Sequence, residues 1–146
     1  MTPAPSDEAV DLFEQGFFCS PAVFCAYSER FGLDKDTASR IATPFGAGIG
    51  YTGNICGAVA GALMVIGLCH GITDPGDVDA KKKVFEVTQK FIVEFMDRHG
   101  SINCTKLLGY DLSDPEQLHE ARRVGITREK CPGFVRDAAE ILELIL

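Results

Sequence analysis

An uninterrupted apolar stretch from Ile55 to Cys69 constrains the fold of this chain more than any other feature. The stretch has fifteen residues, fewer than the roughly 20 that a helix needs to cross a bilayer. Glycine and alanine recur through it, so neighbouring helices can approach its backbone closely. It therefore predicts a buried helix. Gly57 and Gly61 give this helix a smooth face, suited to a close helix neighbour or to the seam of a homodimer.

Capping residues and helix breakers divide the rest of the chain into further helices. Ser6, Ser20, Asn54 and Ser101 are placed to cap helix starts, and Pro44 blocks a helix that precedes it. The predicted helices span about 6–15, 20–31, 35–43, 55–70, 78–99, 101–108 and 115–124, with a last one from near Pro132 to the C-terminus. No run of alternating β-branched residues predicts a strand.

We therefore expect an all-α fold, a compact multi-helix bundle in a single domain over residues 1–146. Residues 1–6 are expected to form a flexible N-terminus. A net charge of −7 gives no basic surface for nucleic acid. The first residues lack a basic start and an apolar run, so we expect no signal peptide and a cytoplasmic protein that does not span a membrane. Cytoplasmic cysteines usually stay reduced.

Six cysteines are present, and no two form a C-x-x-C pair. This spacing excludes thioredoxin-type dithiols, c-type haem attachment and ordinary zinc knuckles. Four thiols fall at predicted helix N-termini: Cys19, Cys56, Cys104 and Cys131. A helix N-terminus favours the thiolate, which is the form that attacks disulfides and binds metal. Cys25 and Cys69 lie inside predicted helices, where a free cysteine behaves as a small buried hydrophobe.

Gly48 to Gly53 match the G-x-G-x-x-G pattern of dinucleotide-binding loops. That pattern requires a preceding strand, and here a helix and Pro44 come before it. We interpret the segment as a tight loop that lets backbone approach Cys56. Backbone N–H groups near the thiols, at Gly53 and Gly57, are candidates for binding the sulfurs of a cofactor.

The motif Cys56-Gly57-Ala58-Val59-Ala60-Gly61, with Cys19 upstream and Cys104 and Cys131-Pro132-Gly133 downstream, resembles the C_GCAxxG_C_C family of prokaryotic proteins. The resemblance extends from about Asp7 to the C-terminus. It implies redox activity, a designation that rests largely on the family's cysteines. The four characteristic cysteines map onto Cys19, Cys56, Cys104 and Cys131. The chain departs from the family at Phe17-Phe18, where members more often have a polar residue before the first cysteine.

Three hypotheses of function follow, and whether the protein is an enzyme stays open. In the first, Cys19, Cys56, Cys104 and Cys131 meet in one site and hold an iron–sulfur cluster or another thiolate-bound metal. In the second, these cysteines are redox thiols that cycle through a disulfide without metal. In the third, the protein is a non-enzymatic accessory of a transporter. The first two require a redox partner that the sequence does not identify.

Overall fold

A computed structural model describes residues 3–146 and confirms the all-α class. Eight right-handed α-helices and no β-strand occur in that range. The helices are α1 (Pro5–Glu14), α2 (Cys19–Ser28), α3 (Lys35–Ala42), α4 (Gly57–His70), α5 (Val78–His99), α6 (Cys104–Leu108), α7 (Pro115–Val124) and α8 (Ile126–Ile145). Of the segment expected to be flexible, Met1 and Thr2 lie outside the described residues. Pro5 and Ser6 belong to α1, and the Ser6 N–H donates to Glu143 (3.2 Å).

Short polar side chains start four of the helices. An Asp or Asn side chain accepts a backbone N–H at the start of α3, α5, α6 and α7: Asp34, Asp77, Asn103 and Asp114. The limits predicted for α5 and α7 are confirmed, because the capping residue and the glycine that follows the helix are both local signals.

The four caps predicted elsewhere are wrong. Ser6 and Ser20 lie inside the first turns of α1 and α2, which begin one residue earlier without a side-chain cap. The Asn54 amide donates to the Thr52 hydroxyl instead of capping α4. The Ser101 hydroxyl accepts the N–H of Asn103, which is the residue that caps α6.

The start predicted for the last helix is also wrong. Helix α8 begins at Ile126, directly after the left-handed Gly125, and Pro132 lies inside it. Proline has no N–H, so the Arg128 carbonyl lacks its ordinary helical partner at this point. Packing of the buried stripe compensates for that loss; its members are Phe134, Val135, Ala138, Ala139, Ile141 and Leu142.

Helix α2 occupies the centre of the core, and all ten of its residues are buried. It packs against α1, α3, α4 and α8. Its contact with α4 is very close, because Gly61 lies against the Ser20 carbonyl and a methyl group there would overlap it. Gly57 and Gly61 therefore face a neighbouring helix of the same chain, which is one of the two uses expected for this pair. Over residues 3–146, no helix has both the length and the apolar character needed to span a membrane.

Candidate thiol site

A cavity of about 610 Å³ lies where the start of α2, the start of α4, α6 and α8 meet. Four cysteines line it: Cys19, Cys56, Cys104 and Cys131. The other two thiols, Cys25 and Cys69, do not. Cys25 is buried, as expected of a small core residue, and its thiol faces the Lys35 carbonyl (3.6 Å). Cys69 is only partly buried, so its interpretation as a core residue is wrong.

Three of the four cavity cysteines lie at helix starts, as predicted. Cys19 and Cys104 are the first residues of α2 and α6, and Cys56 occupies the cap position of α4. Cys131 differs, because the earlier start of α8 places it inside that helix. Its position beside the cavity thus comes from packing of α8 and not from a helix end.

A two-way backbone bridge holds Cys56 next to Cys104. The Cys56 N–H donates to the Ile102 carbonyl (2.8 Å), and the Cys104 N–H donates to the Asn54 carbonyl (2.6 Å). These bonds surround an isolated antiparallel bridge between Ile55 and Asn103. The start of α4 and the start of α6 are therefore fixed to each other, although more than forty residues separate them in sequence.

The glycine-rich segment, which we interpret from the sequence as a tight loop, forms a left-handed turn. Every residue from Ala47 to Tyr51 has a positive φ, and the Tyr51 N–H donates to the Ala47 carbonyl (3.0 Å). Ala47, Ile49 and Tyr51 each carry a cost of about 1–2 kcal/mol in this conformation. The turn places Ala47 and Gly48 on the cavity wall, where a Cβ atom on Gly48 would lie 2.8 Å from that of Cys104.

Of the two glycines predicted to bind a cofactor, only Gly57 lines the cavity. Its missing side chain makes room for the Cys19 sulfur, which a methyl group at position 57 would overlap. Gly53 lies outside the lining, where its carbonyl accepts the Thr105 hydroxyl (2.9 Å). The structure thus brings Gly57 to the thiols and leaves Gly53 in a supporting contact with α6.

Burial raises the pKa of all four cavity thiols above the usual thiol range. The pKa of Cys56 rises to about 12 and that of Cys104 to about 11, with neighbouring cysteines adding to the effect of burial. Burial also raises the pKa of Cys19 and Cys131. Backbone N–H groups of Ala47 at Cys19, and of Val59 and Ala58 at Cys56, act in the opposite direction but are outweighed.

The thiolate predicted from helix-end position is therefore wrong for the metal-free protein. A helix N-terminus does offer partial positive charge. Removing a thiolate from water nevertheless costs more free energy than the interaction with that charge contributes. At neutral pH the four thiols are protonated.

A family model described as "Putative redox-active protein (C_GCAxxG_C_C)" matches residues 17–145. The chain belongs to the C_GCAxxG_C_C family. The match includes all four cavity cysteines and begins after α1, ten residues later than the resemblance suggested. No curated protein and no solved structure matches the chain.

In this C_GCAxxG_C_C protein, several cavity residues carry no sequence signal that points to a site. Phe18 and Tyr51 meet edge to face, with ring centroids 6.3 Å apart. The Arg122 guanidinium lies 5.7 Å from the centroid of the Tyr51 ring, and Arg128 also lines the cavity. Tyr51 reaches the cavity through the left-handed turn, and the two arginines reach it through the packing of α7 and α8; the sequence pattern reveals none of these placements.

The four cysteine sulfurs of this family member are chemically suitable ligands for a thiophilic metal, because thiolate sulfur binds zinc and iron–sulfur clusters. Their arrangement in this structure is not that of a complete coordination site. Within the described residues, no three Cys, His, Asp or Glu side chains are gathered closely enough to hold a metal ion. All six thiols are free.

Proposed function

We propose that this protein is a redox protein whose four cavity cysteines bind a thiophilic metal centre, an iron–sulfur cluster by preference. The observation that carries the proposal is the partition of the cysteines. Four thiols that are distant in sequence line one cavity, and the two cysteines outside the family motif lie elsewhere. A cytoplasmic location and a separate electron-transfer partner are part of the same proposal.

At the four sulfurs themselves, the electrostatics allow thiolates only together with a bound cation. Each thiol has a raised pKa because its thiolate is desolvated, and at Cys56, Cys104 and Cys131 the neighbouring cysteines add repulsion. Several buried thiolates are therefore stable together only beside a compensating positive charge, and metal coordination deprotonates a thiol outright. When bound, an iron–sulfur centre supplies one-electron transfer.

The chain's own residues have definite tasks in this proposal. Cys19, Cys56, Cys104 and Cys131 are the ligands, and the Gly57 position leaves space for the first of them. The N–H groups of Ala47, Ala58 and Val59 favour negative charge on the sulfurs. Contacts of this kind tune the reduction potential of a cluster, as does the apolar wall that limits the access of water.

Anaerobic purification tests this proposal. We expect a coloured protein that contains iron and acid-labile sulfide in a fixed ratio to protein, with a reversible one-electron couple. A colourless preparation that retains no metal after reconstitution with iron and sulfide contradicts it.

The second candidate is a metal-free dithiol, which the absence of a gathered three-ligand group among residues 3–146 favours. Two cavity thiols would lose two electrons and two protons to an oxidant such as a disulfide, forming one S–S bond. Metal-free protein would then fall from six titratable thiols to four on mild oxidation and recover on reduction. Metal-free protein with no reversible couple contradicts both candidates and favours the accessory role.

A further inference from the structure

The cavity is larger than a metal centre requires. Its volume of about 610 Å³ lies within the range of roughly 300–1,000 Å³ typical of small-molecule sites. The thiols cover only part of the wall. Aromatic and aliphatic side chains form most of the remainder, among them Phe13, Phe17, Leu112 and Leu118.

Two arginines give this apolar cavity a positive rim. Arg122 and Arg128 line it, and neither forms an ion pair with a carboxylate among residues 3–146. The arginines that do so lie elsewhere: Arg98, Arg123 and Arg136. Glu14 is the one carboxylate in the described lining. The cavity thus carries excess positive charge although the chain has a net charge of −7.

The shape of a guanidinium narrows the class of ligand. Its planar donor fork matches the oxygens of a carboxylate, sulfonate or phosphate, and it binds such groups in pairs of hydrogen bonds. The Arg122 head lies over Tyr51, which also lines the cavity. This contact holds the guanidinium at the wall, where an entering anion meets it.

We propose that the cavity binds a small organic anion, with its acidic group at Arg122 and Arg128 and its apolar, ring-containing body toward the thiols. This proposal extends the proposed function and rests on it, because it assumes that the cavity is the site at which the protein works. Binding by itself requires no metal and no oxidation step.

A pair of fluorescent probes tests this proposal on anaerobically purified full-length protein. Anilinonaphthalene sulfonate has an aromatic body and one negative charge, and phenylnaphthylamine has the same body without the charge. We expect saturable binding of the sulfonate to one site per chain, with a higher affinity than the neutral probe. Arg122→Gln and Arg128→Gln should each weaken sulfonate binding about five- to tenfold, the loss expected for one charge-assisted contact at a partly exposed site. Binding of the neutral probe should change less than twofold.

Arg123→Gln is the matched control, because Arg123 is the next residue on α7, pairs with Glu120 and does not line the cavity. Near-ultraviolet circular dichroism verifies that each variant is folded. If a variant fails to fold, the salt dependence of probe binding to the unaltered protein tests the proposal instead. Added salt must then weaken the binding of the sulfonate and leave the binding of the neutral probe unchanged. Equal affinity for the two probes, or equal losses at Arg122 and Arg123, overturns the proposal. Metal and redox assays on the same preparation report on the proposed function separately.

Discussion

The sulfur of Cys19 lies directly against Gly57, so closely that a single methyl group at position 57 would overlap it. The two residues begin α2 and α4, the pair of helices whose close packing forms one side of the cavity. The glycine that follows the motif cysteine Cys56 is thus explained by the position of another motif cysteine. Replacing it has a predictable consequence for both folding and the thiol site.

Gly57→Ala should lower the free energy of unfolding by about 1–3 kcal/mol, because the added methyl group overpacks the contact with Cys19. It should also reduce the metal retained per chain. Gly67→Ala is the matched control, since Gly67 lies on the same helix with nothing near its Cβ position. That change should stabilise the helix by up to about 1 kcal/mol. Urea unfolding of both variants measures the difference, and equal effects would contradict the role of the Cys19 contact.

In the left-handed turn, a substitution should raise the free energy of unfolding instead of lowering it. Ala47→Gly should raise the free energy of unfolding by about 0.5–1 kcal/mol, because glycine adopts a φ of +55° without the steric cost that alanine carries. Ala80→Gly, in the first turns of α5, should instead lower it by about 0.5–1 kcal/mol. Thermal or urea melts compare the two variants. Destabilisation by Ala47→Gly would show that the turn is not strained at this residue.

Two buried serines of α2 differ in their hydrogen bonds. The Ser20 hydroxyl donates to the Ala42 carbonyl (2.8 Å), whereas the buried Ser28 hydroxyl has no partner within residues 3–146. Ser20→Ala should therefore cost about 1–2 kcal/mol, and Ser28→Ala should be neutral or slightly stabilising. Urea unfolding of the two variants measures the change in the free energy of unfolding. A larger loss of stability in Ser28→Ala than in Ser20→Ala would refute this reasoning.

The two classes of cysteine should separate in function. Cys104→Ser should abolish metal retention, or the reversible couple of the metal-free protein, while the helices persist. The reason is that a serine hydroxyl remains protonated where a thiol can ionise and bind metal. Cys69→Ser, outside the cavity, should leave both unchanged. Iron and sulfide analysis with circular dichroism measures the outcome, and equal losses in the two variants would remove the special status of the cavity cysteines.

Alkaline pH should destabilise the protein in part through Cys25. Burial raises the pKa of this thiol from near 9 to about 11 in the folded state. The unfolded chain therefore loses the proton first, so the contribution of Cys25 is complete below pH 9, falls between pH 9 and 11, and levels above that. By pH 10 the loss should be about 1 kcal/mol. Cys25→Ala should reduce the fall in stability by this amount, and an unchanged pH profile would contradict the expected effect.

Local sequence determined the limits of two helices of this protein completely. Asp77 and Gly100 define α5, and Pro115 with Gly125 defines α7, because capping and left-handed termination depend on residues within one turn. The family motif likewise identified the four cysteines that line the cavity. These features depend on local sequence and not on the tertiary contacts between helices.

The tertiary structure alone decided the chemical state of the thiols and their surroundings. Helix-end position predicted that the pKa of Cys56 is lowered, whereas burial raises it. Desolvation depends on every element around the sulfur, so local sequence does not specify it. Pro132 predicted a helix start, yet packing of α8 against the core tolerates a proline within it. Arg122 lies over Tyr51, a residue distant in sequence, and Ala47 adopts a left-handed conformation that alanine by itself disfavours. Burial, strain and convergence are properties of the packed chain, and no local pattern specifies them.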